Sequence, residues 1–323
     1  MGELAIVGLG KMGAGLAHQA LDRGFRVVGA TRGEVPADLV GRGLVPAGDL
    51  RALRRALHAP RVVLLYVPAG AAVDGLLEDL EDVMEPGDVV ADGGNSYWGD
   101  SIRRHGRLRA RGLHFVDVGT SGGIEGARHG ACFMAGGEPD AVARVEPLLR
   151  ALAVEGGFVH AGPPGAGHFV KLVHNGIEFG MLQAIAEGFD LLTHYHEPLD
   201  AGAILECWRH GSVVRSWLVD LLAQALRRDP SLAEPTAYIE DTGEVNWLVT
   251  DALRMEVPVP VIAQSVMQLA ASRDGRRNWA RAIVLMRHGF GGHPFGPRDD
   301  IARERREGRV GDFFRPGAGA RTP

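Results

Sequence analysis

Cysteine is nearly absent from this sequence: Cys132 and Cys207 are the only two among 323 residues. They share no metal-ligand spacing and allow at most one disulfide, so neither a disulfide scaffold nor a zinc ribbon is available, and reduced thiols in a cytoplasmic protein are expected. No apolar run approaches the roughly 18 residues that a membrane span needs. A strand-like run already begins at Leu4, leaving no room for a signal peptide, so a cytosolic chain without a membrane partner is expected. Positive charge is not in excess either. Lys and Arg number 35 against 40 Asp and Glu, a formal net charge of −5, which argues against general nucleic-acid affinity. The histidines His194 and His196, or His288 and His293, find no third ligand at a recognisable spacing, and no metal site is expected. What remains is 46% hydrophobic and 23% charged, the composition of a globular protein with length for two domains.

Glycine, in contrast, is plentiful, at 46 residues, and its placement carries information. Leu4 to Val7 is a short apolar run that breaks into Gly8-Leu9-Gly10-Lys11-Met12-Gly13. A helical pattern follows through Leu16, Ala17, Ala20 and Leu21, Gly24 stops it, and Phe25 to Ala30 reads as a second strand. Strand, glycine turn, helix and strand within about thirty residues is the setting in which G-x-G-x-x-G marks a dinucleotide site. The first glycine permits the tight turn, the second lets a pyrophosphate approach, the third lets helix and strand pack, and the helix N-terminus faces the phosphates. An acid about 20 positions on would favour NAD. Here Thr31 and Arg32 follow the second strand, and a guanidinium suits the 2′-phosphate of NADP. NADP is therefore favoured over NAD, with Glu34 keeping NAD open.

Arg61 to Val67 and Asp88 to Asp92 read as buried parallel strands around a helical stretch from Asp74 to Met84. Ligands in open α/β sheets sit beyond the carboxyl ends of strands. Val67 thereby joins the cofactor candidates, and Asn95 and Ser96 of Gly93-Gly94-Asn95-Ser96 are placed to meet nicotinamide or substrate. Phe115 to Val118 repeats the pattern and runs into Gly119-Thr120-Ser121-Gly122-Gly123, a loop whose hydroxyls and amides suit a carboxylate. Cys132 to Ala135 and Phe158 to His160 complete the expected strands. The break Gly162-Pro163-Pro164-Gly165 divides an expected Rossmann domain (1–164) from an all-helical one (165–297), with a mobile tail from 298 to 323. The fold class is thus α/β, a doubly wound sheet followed by helices at Leu199 to Arg227, Val245 to Met255, Val261 to Ala271 and Trp279 to Met286.

The helical domain opens with about thirty proline-free residues, Gly165 to His196. Lys171, His174, Asn175 and Glu178 fall at i, i+3, i+4 and i+7 and share one face. Phe169, Val170, Leu172, Val173, Ile177 and Phe179 make the other sides apolar, so this half of the helix is expected to be buried. A second polar stripe, Gln183, Glu187, Asp190 and His194, would meet water. A buried ammonium beside a carboxylate is costly unless put to use, so the first face is read as catalytic.

Together, Gly8 to Gly13, Asp92-Gly93-Gly94-Asn95-Ser96, Ser121-Gly122-Gly123 with Glu125-Gly126-Ala127-Arg128, and Lys171 to Gly180 resemble 6-phosphogluconate dehydrogenase, in its compact bacterial form. The resemblance implies a homodimer or homotetramer of Rossmann-plus-helical chains acting on a sugar acid phosphate. It implies that Lys171 is the general base at the substrate 3-hydroxyl and Glu178 the acid that protonates C1 of the enediol. Asn95, Ser121, Gly122, Gly123, His174 and Asn175 match family substrate contacts, and Arg287 and His293 match its R-x-x-F-G-x-H element, which in the long form reaches in from a neighbouring subunit. The departures cluster at the phosphate end. Phe179 stands for a tyrosine, Val245 and Asn246 replace glycine and arginine in D-[ST]-G-E-G-R-W, and Leu248 replaces a threonine. Arg273, Arg287 and His293 are then the candidate phosphate contacts. These changes keep open a relative acting on another 3-hydroxy acid. A non-catalytic dinucleotide-binding protein would have no use for Lys171 and Glu178, and Ser121 lies in T-S-G-G rather than on the elbow of a hydrolase.

Overall fold

The apolar runs become the centre of an eight-stranded sheet in the computed structural model, which describes residues 2–233 and 235–302. The first half runs β1 (Glu3–Val7), α1 (Lys11–Asp22), β2 (Arg26–Ala30), α2 (Ala37–Gly41), β3 (Val45–Pro46), α3 (Leu50–Arg55), β4 (Val62–Leu65), α4 (Ala71–Glu81), β5 (Val89–Asp92), α5 (Trp98–Arg109), β6 (His114–Ser121), α6 (Gly123–His129), β7 (Ala131–Gly136), α7 (Pro139–Leu152) and β8 (Ala153–Gly162). Six helices follow: α8 (Ala166–Thr193), α9 (Ala201–Trp208), α10 (Trp217–Arg228), α11 (Glu244–Arg254), α12 (Pro260–Arg273) and α13 (Asn278–Gly291). The tail expected at 298–323 falls outside the described residues beyond Ala302.

The strand order is β3-β2-β1-β4-β5-β6-β7-β8, parallel throughout except for the antiparallel pair β6–β7. Chain direction of winding reverses between β1 and β4, the switch point at which α/β sheets bind ligands. Side chains alternate across the sheet with period two. Leu4 and Ile6 of β1 enter a core with Leu16 and Ala20 of α1 and Val145 and Leu149 of α7. Ala5 and Val7 enter a second core, on the opposite face, with Val73, Leu77 and Leu80 of α4 and Leu108 of α5. Helices therefore cover both faces, the doubly wound arrangement read from the sequence.

The chain divides into two compact units, Met1–Gly176 with Gly243–Glu256, and Ile177–Thr242 with Val257 onward. The expected division at 164/165 coincides with the end of β8, but the compact units separate within α8. Lys171, His174 and Asn175 belong with the sheet, and Glu178 with the helical unit. Helix α11 also belongs with the sheet, burying Val245, Leu248, Asp251 and Ala252.

The helical unit has a small core of Leu205, Val219, Ala223 and Leu226, against which Ile185 and Phe189 of α8 pack. The run expected to be helical from Leu199 to Arg227 breaks between α9 and α10, where Ser216 caps α10 by accepting from the Val219 amide. Val170 and Ile177 of α8 are exposed, against the expectation of burial, and among the described residues α13 buries none. Among the described residues no helix is long and apolar enough to cross a membrane.

Candidate active site

The turn after β1 is shaped by its glycines. Gly8 adopts φ +96, and its amide donates to the Ala30 carbonyl at 2.8 Å, fixing the turn to the end of β2. A Cβ on Gly8 would lie 2.3 Å from the Tyr66 carbonyl oxygen, and one on Gly13 would lie 1.9 Å from that of Gly8. Both distances are far inside van der Waals contact. A Cβ on Gly10 would meet no protein atom, so packing does not require glycine there, and that opening lies before the N-terminus of α1. The first turn of α1 carries no acidic residue, and its cap position, Gly10, has no side chain. These features fit a dinucleotide pyrophosphate. Leu9 is buried in the core, leaving its backbone for such a ligand, whereas Lys11 is exposed and Met12 half-buried. Thr31 and Arg32 stand just past Ala30, with Arg32 exposed, and a Cβ on Gly8 would lie 3.0 Å from the Val67 side chain.

The loop after β5 owes its shape to a buried polar network. Asp92, fully buried, accepts from the Gly94 amide at 3.1 Å and from the Ser96 hydroxyl at 2.6 Å. Arg104 of α5 is also fully buried; it donates to Ser96 at 3.1 Å, Asp92 at 3.5 Å, Asp74 at 2.8 Å and the Gly70 carbonyl at 3.1 Å. A buried guanidinium must satisfy its donors, and here the acceptors are Gly70 and Asp74 at the start of α4 and Asp92 and Ser96 at the end of β5 and in the loop after it. Ser96 thus points into the protein and supports the loop. Asn95 is exposed, and its Nδ2 donates to Glu244 Oε1 at 3.0 Å.

The N-terminus of α8 sits against β6 and β7 with almost no side chain between. Gly119, Gly136 and Gly167 make this possible: a Cβ on Gly167 would lie 2.3 Å from the Asp117 carbonyl oxygen, and one on Gly119 would lie 2.5 Å from Cβ of Lys171. Asp117, fully buried in β6, caps the helix by accepting from the amides of Gly165 at 2.7 Å and His168 at 2.8 Å. Burial pushes its carboxyl above the usual carboxylate range, while His168 and those amides oppose the shift. His168 is buried too. Its Nε2 bonds the Asp92 carbonyl at 3.1 Å and its Nδ1 pairs with the Ser101 hydroxyl at 2.7 Å. A carbonyl can only accept, so Nε2 carries hydrogen. Asp117 and His168 were not singled out from sequence. The signal was present in two acids, Asp92 and Asp117, each inside an apolar strand.

Seated in this way, α8 brings Lys171, His174 and Asn175 to the end of β6. Lys171 is 9% exposed, and its Nζ donates to Asn175 Oδ1 at 2.7 Å. His174 Nδ1 lies 3.2 Å from the same oxygen, and Nε2 lies 3.0 Å from Ser121 Oγ. Because an amide oxygen only accepts, Nδ1 carries the hydrogen and Nε2 accepts from Ser121. Beside Ser121, Gly122 and Gly123 adopt φ +116 and +60. Thr120 bonds the hydroxyl of Tyr66 at 3.0 Å, and burial pushes the Tyr66 phenol well above its ordinary value.

Glu178, half-buried, lies seven residues beyond Lys171 on the same helix. In the helical unit, Arg273 donates to Asp241 at 2.5 Å and to the Ile239 carbonyl at 2.8 Å, so its charge is already engaged. Arg287 is exposed on α13. His293 follows that helix, with its carbonyl accepting from His288 Nδ1 at 2.8 Å. Of the two departures in this segment, Val245 is buried and Asn246 is exposed. No cluster of three metal-ligating residues exists among the described residues, and Cys132 and Cys207 are separate thiols.

A family model described as the NAD binding domain of 6-phosphogluconate dehydrogenase matches residues 3–162, and one described as the C-terminal domain of that enzyme matches residues 167–290. The chain belongs to the 6-phosphogluconate dehydrogenase family. Among its relatives, the Bacillus subtilis protein YqeC, named provisionally as a 6-phosphogluconate dehydrogenase, is 40% identical over 90% of this chain and 98% of its own. The NAD(+)-dependent, decarboxylating 6-phosphogluconate dehydrogenase of Haloferax volcanii is 38% identical over 92% of this chain and all of its own. The Plasmodium falciparum 6-phosphogluconate dehydrogenase, whose structures include complexes with NADP+ and with 6-phosphogluconate, superposes with a TM-score of 0.78 at 26% identity. The match covers 93% of this chain but 68% of the Plasmodium one. The family assignment thus agrees with the resemblance carried by the glycine turn and the long helix, and the coverage agrees with its compact form.

Proposed function

We propose that this chain oxidises and decarboxylates 6-phosphogluconate to ribulose 5-phosphate, with Lys171 as general base and Glu178 as general acid. The observation that carries this reading is the buried amine of Lys171, held on Asn175 beside the His174–Ser121 pair at a strand end of a dinucleotide-binding sheet. When bound, NADP or NAD supplies the nicotinamide that accepts a hydride from C3. Lys171 Nζ takes the proton from the 3-hydroxyl as that hydride leaves. The resulting β-keto acid breaks its C1–C2 bond, carbon dioxide departs, and the electron pair moves into the C3 carbonyl. Lys171 returns its proton to that oxygen, giving the enediol; Glu178 then protonates the carbon that becomes C1 of the ketopentose while Lys171 takes the enediol O–H proton back, and the C2 carbonyl forms. Asn95, Ser121, Gly122, Gly123, His174 and Asn175 supply donors and acceptors for the carboxylate and hydroxyls.

Beside Arg273, which is paired with Asp241, the candidate phosphate contacts are Arg287 and His293. They lie on and just after a helix that is apolar yet buries nothing within its own chain: Trp279, Leu285, Met286 and Phe290 are all more than 60% exposed. Such a surface fits a homo-oligomer, in which α13 packs on a second copy. The two separate thiols are in keeping with a cytoplasmic enzyme.

The test is reduction of NADP and of NAD followed at 340 nm together with release of carbon dioxide. Turnover of 6-phosphogluconate with one carbon dioxide per reduced nucleotide is expected, with NADP preferred and Arg32→Asp moving that preference towards NAD. Phe179, which lacks the family's hydroxyl, favours the second reading. Turnover of another 3-hydroxy acid with none on 6-phosphogluconate would replace the first reading by it.

A further inference from the structure

Helix α11 follows α10 by fifteen residues, yet it packs on the sheet unit rather than the helical one. Two polar contacts fasten it. At its N-terminus Glu244 Oε1 accepts from Asn95 Nδ2 at 3.0 Å. Seven residues on, Asp251, buried, accepts from the Tyr97 hydroxyl at 3.1 Å and the Trp98 indole N–H at 2.8 Å. The residues thus held, Asn95, Tyr97 and Trp98, form one short segment from the loop after β5 to the first residue of α5. Positions 244 and 251 share a helix face about 10 Å apart along the axis. Val245, Leu248 and Ala252 are buried on the adjoining flank, and Trp247 meets Tyr97 edge-on at 5.7 Å between ring centroids. Trp98 in turn meets Phe169 of α8 edge-on at 5.9 Å.

The consequence falls on Asn95. An asparagine amide offers two donors on one side and an acceptor on the other, and an exposed one turns freely between them. A carboxylate can only accept. With Glu244 taking Nδ2–H, the carbonyl oxygen of Asn95 is turned to the other side, where it can accept from a hydroxyl. We infer that Glu244 is a positioning residue for the reaction: fastened through α11 by Asp251, it fixes the Asn95 amide so that Oδ1 accepts from a hydroxyl of the bound sugar acid. This inference rests on the reading of Asn95 as a substrate contact. Through Asn95, removal of Glu244 weakens sugar-acid binding and leaves the dinucleotide turn, built on other elements, unchanged.

The experiment is a kinetic cycle with full-length Asn95→Ala, Glu244→Ala, Glu244→Gln and the Asn95→Ala/Glu244→Ala double variant, varying 6-phosphogluconate and the dinucleotide separately. Loss of a hydrogen bond to a charged group sets the scale of the expected effect, roughly tenfold. Glu244→Ala is expected to raise the sugar-acid KM about tenfold at unchanged dinucleotide KM. Glu244→Gln, which keeps an acceptor, is expected to stay within about threefold of wild type. In the Asn95→Ala background, Glu244→Ala is expected to add nothing. Thermal unfolding of Asp251→Asn and Glu244→Ala reports whether α11 stays docked, and Glu244→Ala is expected to unfold as wild type does. An additive loss in the double variant, or an impaired Glu244→Ala whose dinucleotide KM rises equally, would overturn the inference. If Asn95→Ala itself leaves kcat/KM unchanged, the reading of Asn95 as a substrate contact fails instead.

Discussion

Replacing Lys171 with methionine is expected to lower kcat by about 10³-fold, within the 10² to 10⁴ that a positioned base contributes. Methionine preserves the length and packing of the stem, and Asn175 Oδ1 keeps its contact with His174 Nδ1. The dinucleotide turn, built by Gly8, Gly10 and Gly13, lies on other elements, so binding of NADP measured by fluorescence is expected to be unchanged. Lys171→Arg sharpens the result. Arginine retains the cation but stays protonated throughout the accessible pH range. If Lys171 serves only to attract an anionic substrate, the arginine variant recovers much of the activity; if it accepts a proton, arginine is as inactive as methionine. Steady-state kinetics of both variants on 6-phosphogluconate are expected to show the second outcome.

The next largest effect is expected from a single methyl group one helical turn before Lys171. Gly167→Ala places a Cβ 2.3 Å from the Asp117 carbonyl oxygen and 2.5 Å from that of Met134. Both neighbours are backbone in paired strands, β6 and β7, and neither can swing aside. Helix α8 must therefore lift by about an ångström, carrying Lys171, His174 and Asn175 with it. A displacement of that size costs on the order of 10² in rate. The lift also stretches the two amide contacts to Asp117, whose loss from a buried cap costs about 1–3 kcal/mol. Gly106→Ala is the control. It lies in the exposed part of α5, a Cβ there would meet no protein atom, and alanine in a helix interior is favoured over glycine by about 0.5–1 kcal/mol. Activity and thermal unfolding measured together are expected to show Gly167→Ala slowed and destabilised, and Gly106→Ala unchanged or slightly more stable.

These two glycines show what could be read from the residues alone and what could not. The turn from Gly8 to Gly13 was legible because its function is local: strand, turn and helix lie within thirty residues. The same holds for Lys171, His174 and Asn175, which helical spacing places on one face. Gly119, Gly136 and Gly167 carry no such pattern. Their need for a hydrogen in place of a side chain exists only once β6, β7 and α8 meet, and they lie up to 48 residues apart. Asp117 and Arg104 were illegible for the same reason, since a charged residue is ordinarily a surface residue. Their acceptors and donors come from distant parts of the chain: Gly165 and His168 at the start of α8 for one, Gly70 and Asp74 at the start of α4 for the other. The apolar sides of α8 misled in the opposite direction. Val170 and Ile177 lie on the sides expected to be buried, and they are exposed. Apolar periodicity reports that a face is covered but does not say whether by the same chain.

The most direct measurement is the structure of the enzyme with NADP and 6-phosphogluconate bound together. Lys171 Nζ is expected within about 3 Å of the 3-hydroxyl oxygen, with C3 facing the nicotinamide and the Glu178 carboxyl within hydrogen-bond reach of the reacting carbons or one water away. A complex in which the sugar acid is bound for hydride transfer while Lys171 stays on Asn175, out of reach of that hydroxyl, would contradict a proton transfer between them.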